Sequence, residues 1–187
     1  MNEPRLTDLQ AIEAAVWREL SKAVGDRDHA WRLGVLATTD GQSADARTVV
    51  LREVDGQARR LLIYTDARSP KLQHIETHPL ATLVLWSPAL AWQLRVRLAL
   101  EVHTEGLEVS SHWARLELTT AAQDYLSQLA PGSAIEAGNV GVAPQRENRA
   151  HFAVLAAKVL GIDWLELDTQ GHRRAWFETL ARRWIAP

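Results

Sequence analysis

The sequence predicts a mainly β fold, an antiparallel barrel with flanking helices, and three observations support this prediction. Much of the chain after the first helical segment has strand character, and residues 93–103 alternate, with Leu94, Val96, Leu98, Leu100 and Val102 on one face. Two Asp-Gly pairs, at residues 40–41 and 55–56, indicate turns between consecutive strands. Closing such strands into a barrel removes the edges that they would otherwise expose.

The first segment has helical periodicity. Thr7 is the expected N-cap, with Gln10 as its partner in a capping box, and Gly25 marks the end of the helix. Apolar residues recur at helical spacing between these two ends. They are Leu9, Ile12, Val16, Leu20 and Val24. This stripe predicts a packing face without a chemical role.

Strands and one short helix are expected in the middle of the chain. The helix has Ser69 as its N-cap and Pro70 at its first position, and it ends at His78 before Pro79. The expected strands are residues 31–39, 47–54, 60–65, 81–86 and 93–103.

The last part of the chain is predicted as helix, loop and strand in that order. Residues 108–129 read as two short helical pieces that separate near Thr119 and Thr120. Residues 131–147 are rich in small residues and read as a loop, and strand character returns at 152–167 and 172–177 after it. We therefore expect a single domain over residues 1–187, with an N-terminal helix within 1–28, a helical and loop excursion at 105–150, and C-terminal strands at 151–187.

Composition excludes several classes of function. A formal net charge of -2 leaves no overall basic field to attract nucleic acid or an anionic membrane. The absence of cysteine excludes disulfides, thiolate nucleophiles and iron–sulfur clusters. No signal peptide or membrane span is recognised, so a cytoplasmic location is the expectation.

Positive charge is concentrated between Ala46 and Lys71, where six cations accompany three acids. Within this window Ser69, Pro70 and Lys71 open a helix, whose free N–H groups favour a phosphate. Arg47 on the nearby strand completes a set of groups that would suit a phosphate cradle. A solvated, charged hairpin next to a capped helix is the alternative interpretation.

Ordered motifs in this region resemble the pyridoxamine 5'-phosphate oxidase family. The family pattern begins with R-x-V-L-L-K, continues with F-Y-T-N-x-x-S-R-K and reaches R-Q-V-R after a strand that ends near a tryptophan. The corresponding segments here are RTVVLR, LIYTDARSPK and WQLRV. A C-terminal tryptophan and H-x-R triplet, Trp164 and His172 to Arg174, also match without a gap.

The resemblance implies a split β-barrel that binds flavin mononucleotide (FMN) at the interface of a homodimer. It implies that the strand and helix motifs and a glutamine at the flavin ring contact FMN from one subunit. A later glutamine and the C-terminal pair would contact FMN from the second subunit. These residues are Arg47, Thr48, Val49, Val50, Leu51, Arg52, Tyr64, Thr65, Ser69, Lys71, Gln93, Gln145, Trp164 and Arg174. A deazaflavin is the alternative cofactor.

The sequence departs from the family pattern where substrate phosphate would bind. Tyr125 and Ser133 keep the expected spacing, but Leu129 stands where the family has an arginine. Gln170 replaces a second arginine, and Pro70 replaces the arginine of S-R-K, for which Arg68 could compensate. A doubly charged phosphate depends on such cations, so we expect a small-molecule substrate that is less anionic or anchored differently.

Three hypotheses about function follow from these observations. The first is an FMN-dependent oxidoreductase, with Tyr125, Ser133 and His172 near the substrate. The second is a non-catalytic flavin-binding protein that serves storage, sensing or protection, and the third is a small barrel that binds nucleic acid. Net negative charge argues against the third. His74 and His78 have a metal-ligand spacing, but HIETH is not the H-E-x-x-H motif, so no metal is expected.

Overall fold

The computed structural model describes residues 5–127, 129–135 and 149–187. Its helices are α1 (Leu9–Gly25), α2 (Pro70–Thr77) and α3 (Leu107–Leu116), with 3-10 turns at Ala30–Arg32 and Thr120–Tyr125. The strands are β1 (Leu33–Thr39), β2 (Ala44–Asp55), β3 (Arg60–Asp66), β4 (Leu80–Ser87), β5 (Trp92–His103), β6 (Phe152–Glu166), β7 (Arg173–Phe177) and β8 (Arg182–Ile185).

Six strands close into an antiparallel barrel, which confirms the predicted fold class. The strand order is β3-β2-β1-β4-β5-β6, and β6 pairs back with β3 to complete the ring. The first half of β6 carries this closing pairing, from Phe152 to Lys158. Its second half, from Ile162 to Glu166, instead pairs with β7, to which β8 is added. The barrel is therefore extended by a short sheet that continues from β6.

The main core lies inside the barrel and under α1. Alternate residues of β5 point into it, with Leu94, Val96 and Leu98 fully buried, as the alternation predicted. Helix α1 covers the barrel with the apolar stripe that includes Ile12 and Val16. A second, smaller core lies between α3 and the outer faces of β3 and β6.

The helices are placed as predicted, with one correction at the start of α1. Asp8 and not Thr7 is the N-cap, because the Asp8 carboxylate accepts a hydrogen bond of 2.8 Å from the backbone N–H of Ala11. Ser69 is the N-cap of α2 as expected, although its hydroxyl caps no backbone N–H. The segment after β5 forms two helical pieces, α3 and the 3-10 turn at Thr120–Tyr125, as predicted.

The prediction that residues 172–177 form the last strand is wrong. β8 follows, at Arg182–Ile185, and pairs antiparallel with β7. Its four residues are mostly exposed and begin with two arginines, so they lack the alternation that identifies a half-buried strand. β1 also begins two residues later than expected, since Trp31 belongs to a 3-10 turn.

We predict that replacing Leu155 by alanine destabilises the protein by about 2–5 kcal/mol, because it opens a cavity in a closely packed core. Leu155 is fully buried on β6 and lies opposite Ile63 of β3 and Val102 of β5, so the cavity forms where the barrel closes. Urea unfolding followed by tryptophan fluorescence measures the change. Leu118→Ala is the control, since Leu118 is 86% exposed and its loss should change stability by less than about 0.5 kcal/mol.

Candidate functional site

A cluster of cations and hydroxyls lies between β2 and the start of α2, and we name it the cationic cradle (Arg47, Ser69 and Lys71). The Lys71 ammonium donates a hydrogen bond of 2.6 Å to the Ser69 hydroxyl. Arg47 projects from β2 close enough to Lys71 for the two positive charges to repel each other. The structure thus brings together the three side chains that the sequence placed at a phosphate.

The electrostatics of the cationic cradle favour an anion. Burial, together with the neighbouring Arg47 charge, lowers the pKa of Lys71 to about 8, against partial compensation from Asp45 and Asp66. Arg47 forms an ion pair with Asp45, whose side chain is 54% exposed. An anion between Arg47 and Lys71 would relieve the repulsion between them and stabilise the charged form of Lys71. The donor set therefore fits a nucleotide phosphate.

Arg47 is oriented by β1. Its Nη1 donates to the backbone oxygen of Leu36 at 3.1 Å and to the buried hydroxyl of Thr38 at 2.8 Å. Because that hydroxyl accepts from Arg47, its own hydrogen is free to be donated to Nδ1 of His74, 3.2 Å away on α2. Thr38 was not among the residues expected from the sequence, since it lies in a different strand from Arg47.

Arg68 is bound by an acid and by the backbone of a neighbouring segment. Its guanidinium is bound side-on by Asp66, at 3.0 and 2.7 Å, and its Nη2 also donates to the backbone oxygen of Ser127. The hydrogen bonds from Arg68 hold the pKa of Asp66 below its usual range although burial alone would raise it. Arg68 therefore joins the loop before α2 to the segment after the 3-10 turn at Thr120–Tyr125, and its compensation for the arginine that Pro70 replaces stays a prediction.

A pocket of about 560 Å³ opens on the outer face of β2 and β3, and we name it the arginine pocket. Arg52 and Tyr64, both expected from the sequence, line it, and Tyr125 contacts Arg52. Nη2 of Arg52 donates to the Tyr125 hydroxyl at 3.1 Å, and the Arg52 guanidinium lies 5.6 Å from the centre of the Tyr64 ring. Arg47 and Arg52 thus lie on opposite faces of β2.

Residues that the sequence analysis missed complete the arginine pocket. The Glu53 carboxylate is the centre of this group: it accepts from the Tyr64 hydroxyl at 3.3 Å and lies 2.9 Å from Nδ1 of His112 and 3.2 Å from Nη2 of Arg115. Burial and the Glu53 charge raise the pKa of Tyr64, so its hydroxyl stays a donor. Glu108, His112 and Arg115 share one face of α3 by their spacing, which was the available signal in the sequence.

The remaining cofactor candidates of β2 and β3 alternate between the two faces of the barrel wall. Val49, Leu51 and Thr65 are buried, and Val49 and Leu51 belong to the main core. Thr48 is exposed and Val50 lines the arginine pocket. If these residues contact a flavin, the buried ones do so through their backbone groups.

A second group of candidates lies on β5, β6 and β7. Gln93 is half-buried at the start of β5, opposite Leu165, and Leu165 in turn lies opposite Arg174. Arg174 binds both oxygens of Asp163, at 2.8 and 2.7 Å. Trp164 points the other way and is fully buried in the main core, so its ring offers no exposed surface in this protomer.

Two further candidates, Ser133 and His172, are not brought to either group within the protomer. Ser133 is exposed in the loop after the 3-10 turn at Thr120–Tyr125. His172 is exposed in the turn between β6 and β7, where Nδ1 accepts from the backbone N–H of Asp168 at 3.1 Å. Gln145 lies outside the described residues.

Among the described residues there is no group of three or more metal-ligating side chains. The helices described in the structure include none that is long and apolar enough to cross a membrane.

The closed barrel with flanking helices is the FMN-binding split-barrel fold. Residues 14–104 match the family described as pyridoxamine 5'-phosphate oxidase, FMN-binding domain, which is the family that the sequence motifs resemble. The match includes β1 to β5 and therefore both the cationic cradle and the part of the arginine pocket that β2 and β3 form. No curated protein sequence matches the chain significantly.

Solved structures share the fold at low sequence identity. A pyridoxamine 5'-phosphate oxidase-related, FMN-binding protein from Nostoc punctiforme is 20% identical, with a TM-score of 0.74 over 98% of this chain and 100% of that one. PhzG from Burkholderia lata, solved in complex with tetrahydrophenazine-1-carboxylic acid, is 17% identical, with a TM-score of 0.74 over 100% of this chain and 98% of that one. A Clostridium acetobutylicum protein related to general stress protein 26 is 10% identical, with a TM-score of 0.54 over 96% of each chain.

We predict that Thr38→Val weakens FMN binding about 2–10-fold, the effect of losing one ordinary hydrogen bond. The substitution keeps the shape of the buried side chain but removes the acceptor that orients Arg47. Quenching of FMN fluorescence on titration with apoprotein measures the affinity. Thr38→Ser is the matched control and should bind FMN as the wild type does, and equal loss in both variants would contradict a role for the hydroxyl.

We predict that FMN affinity falls as pH rises from about 7.5 to about 9.5, because the pKa of Lys71 is about 8 in the free protein and a bound phosphate raises it. Binding therefore takes up a proton in this range, and removing protons opposes binding. The same fluorescence titration at several pH values measures the slope. Lys71→Arg is the control, since its guanidinium stays charged and its affinity should not fall over this range.

Proposed function

We propose that the protein is a flavoprotein that holds FMN by the cationic cradle and acts as an FMN-dependent oxidoreductase. The observation that carries this proposal is the close placement of Arg47 and half-buried Lys71, two cations that repel each other without a bound anion. The family assignment of the segment that contains both residues supports FMN as the source of that anion.

The ring of FMN would lie along β2. Its polar edge needs hydrogen-bonding groups, which the backbone from Thr48 to Leu51 and the side chain of Gln93 would supply. Arg52 lies towards the far end of this strand and, with Tyr64 of β3, lines the arginine pocket, so a substrate held there would lie next to the ring. Bound FMN would supply the redox chemistry, by accepting a hydride from the substrate.

We further propose that the protein is a homodimer with FMN at the interface. An apolar patch on the outer face of β1 and β4 supports this assembly. Leu33, Val35 and Trp86 are 54%, 43% and 42% exposed, and Val35 lies directly opposite Val84. An exposed apolar surface on a sheet is typical of a protein interface. Gln93 is the cross-strand neighbour of Trp86, so a partner covering this patch would also reach the proposed ring site.

A non-catalytic flavin-binding protein is the second candidate function. The arginine pocket favours the enzyme, because a storage protein needs no second pocket of this size beside the cofactor. Anaerobic incubation of the FMN-loaded protein with pyridoxamine 5'-phosphate or NADPH distinguishes the two. Bleaching of the flavin absorption supports catalysis, and the absence of bleaching with either reductant favours a binding protein.

We predict that Arg47→Ala and Lys71→Ala each weaken FMN binding about tenfold or more, because each removes a charge-assisted contact worth about 1.5–3 kcal/mol. Retention of yellow flavin through gel filtration, followed by a fluorescence titration, measures the loss. Arg18→Ala is the matched control, since Arg18 is an exposed cation of α1 whose salt bridge is with its neighbour Glu19. Unchanged FMN affinity in both cradle variants would place the phosphate elsewhere.

A further inference from the structure

We propose that the arginine pocket binds the carboxylate of an aromatic carboxylic acid, and that Arg115 of α3 is the residue that selects for this anion. The inference rests on the proposed function in that it assigns the substrate class of the pocket beside the proposed FMN ring. It concerns residues of α3 and of the segment before β1, to which the family resemblance assigns no role.

The excess of positive charge in the arginine pocket favours an anionic ligand. Four arginines line it and only two carboxylates, Glu53 and Asp124, face them. The arginines are Arg27, Arg32, Arg52 and Arg115. This excess of positive charge is local, because the whole chain has a net charge of -2. An anionic ligand that enters the pocket is therefore attracted by it.

Arg52 has a buried hydrogen-bond donor without an acceptor. Among the described residues its guanidinium has no carboxylate partner, and its one hydrogen bond goes to the Tyr125 hydroxyl. Its Nε is buried without an acceptor, which is costly for a charged donor. A ligand oxygen next to the Arg52 guanidinium would compensate part of this cost.

Arg115 is placed to provide the second set of donors. Its Nη2 lies 2.9 Å from Nδ1 of His112 and 3.2 Å from Glu53, while 63% of its side chain remains exposed at the pocket. Nε also donates to the backbone oxygen of Ser111 at 3.4 Å, so among the described residues Nη1 is the nitrogen of Arg115 without a partner. A guanidinium held in this way can present two parallel N–H groups to a carboxylate.

The pocket favours a carboxylate over a phosphate monoester. The family's substrate-phosphate arginines are absent here, with Leu129 and Gln170 at their positions. Glu53 lies within 3.2 Å of Arg115 and opposes a second negative charge on the ligand. A singly charged, planar group fits the remaining arginine donors better than a dianion does.

The rest of the pocket suits a flat apolar body. Val50, Leu116 and the ring of Tyr64 form part of its lining, and Leu116 packs in the smaller core. An aromatic ring attached to the carboxylate would bury apolar surface against these side chains. Benzoate combines both features and is the probe for the experiment.

The experiment is a calorimetric titration of the FMN-loaded protein with benzoate, with its neutral analogue benzamide and with phenyl phosphate. Benzoate should bind at least about tenfold more tightly than benzamide, and Arg115→Gln should remove about tenfold of that affinity, the loss expected for one charge-assisted contact. Arg115→Gln should weaken benzamide binding much less than benzoate binding, since neutral benzamide forms no ion pair with Arg115. Arg18→Gln is the matched control and should bind all three probes as the wild type does.

Three results would overturn the proposal. They are equal affinities for benzoate and benzamide, benzoate binding that is unchanged in Arg115→Gln, and phenyl phosphate binding more tightly than benzoate. The flavin absorption of the same samples reports FMN binding separately. If the protein does not retain FMN but still prefers benzoate to benzamide, the FMN proposal alone is refuted. If the protein is saturated with FMN but does not prefer benzoate to benzamide, the carboxylate proposal alone is refuted.

Discussion

The double pairing of β6 is the constraint on which the rest of the structure depends. Its first half hydrogen-bonds with β3 on one side and β5 on the other, which closes the barrel. Its second half exchanges β3 for β7 and so carries the C-terminal sheet. Phe152 at its start packs against Tyr64 and Tyr125. The same strand therefore encloses the core and holds the 3-10 turn at Thr120–Tyr125 against the arginine pocket.

Some arginines of the protein are neutralised by buried acids, whereas the cations of the two proposed sites are neutralised only in part. Three buried acids each bind two arginines, as when Asp163 binds Arg95 and Arg174, and these pairs connect distant parts of the chain. Hydrogen bonds from both arginines hold the pKa of Asp163 below its usual range, against the rise that burial alone would cause. The other two acids are Glu13, with Arg59 and Arg182, and Glu166, with Arg5 and Arg173. In the cationic cradle and the arginine pocket the cations outnumber the acids that pair with them, and these are the two places where we propose that anions bind.

The parts of the site that could be predicted are close in sequence. Ser69 and Lys71 begin one helix, and their local chemistry indicates a phosphate without knowledge of the fold. The parts that were missed come from separate elements. Thr38 meets Arg47 only because β1 pairs with β2, and Arg115 meets Glu53 only because α3 packs over β3 and β6. Strand β8 was missed because it has no apolar pattern of its own. It is defined only by its pairing with β7.

The sequence by itself determined the strands of the barrel, the helices, the family resemblance and the concentration of cations, because each depends on periodicity, capping or spacing among near neighbours. Only the tertiary structure decided which charges find partners. Arg174 of β7 is bound by Asp163 of the paired strand β6, while Arg52, although next to Glu53 in the sequence, has no acid partner among the described residues, a difference that their neighbours in the sequence do not reveal. The physical reason is that an ion pair needs two side chains at contact distance, and strand pairing across the barrel sets those distances.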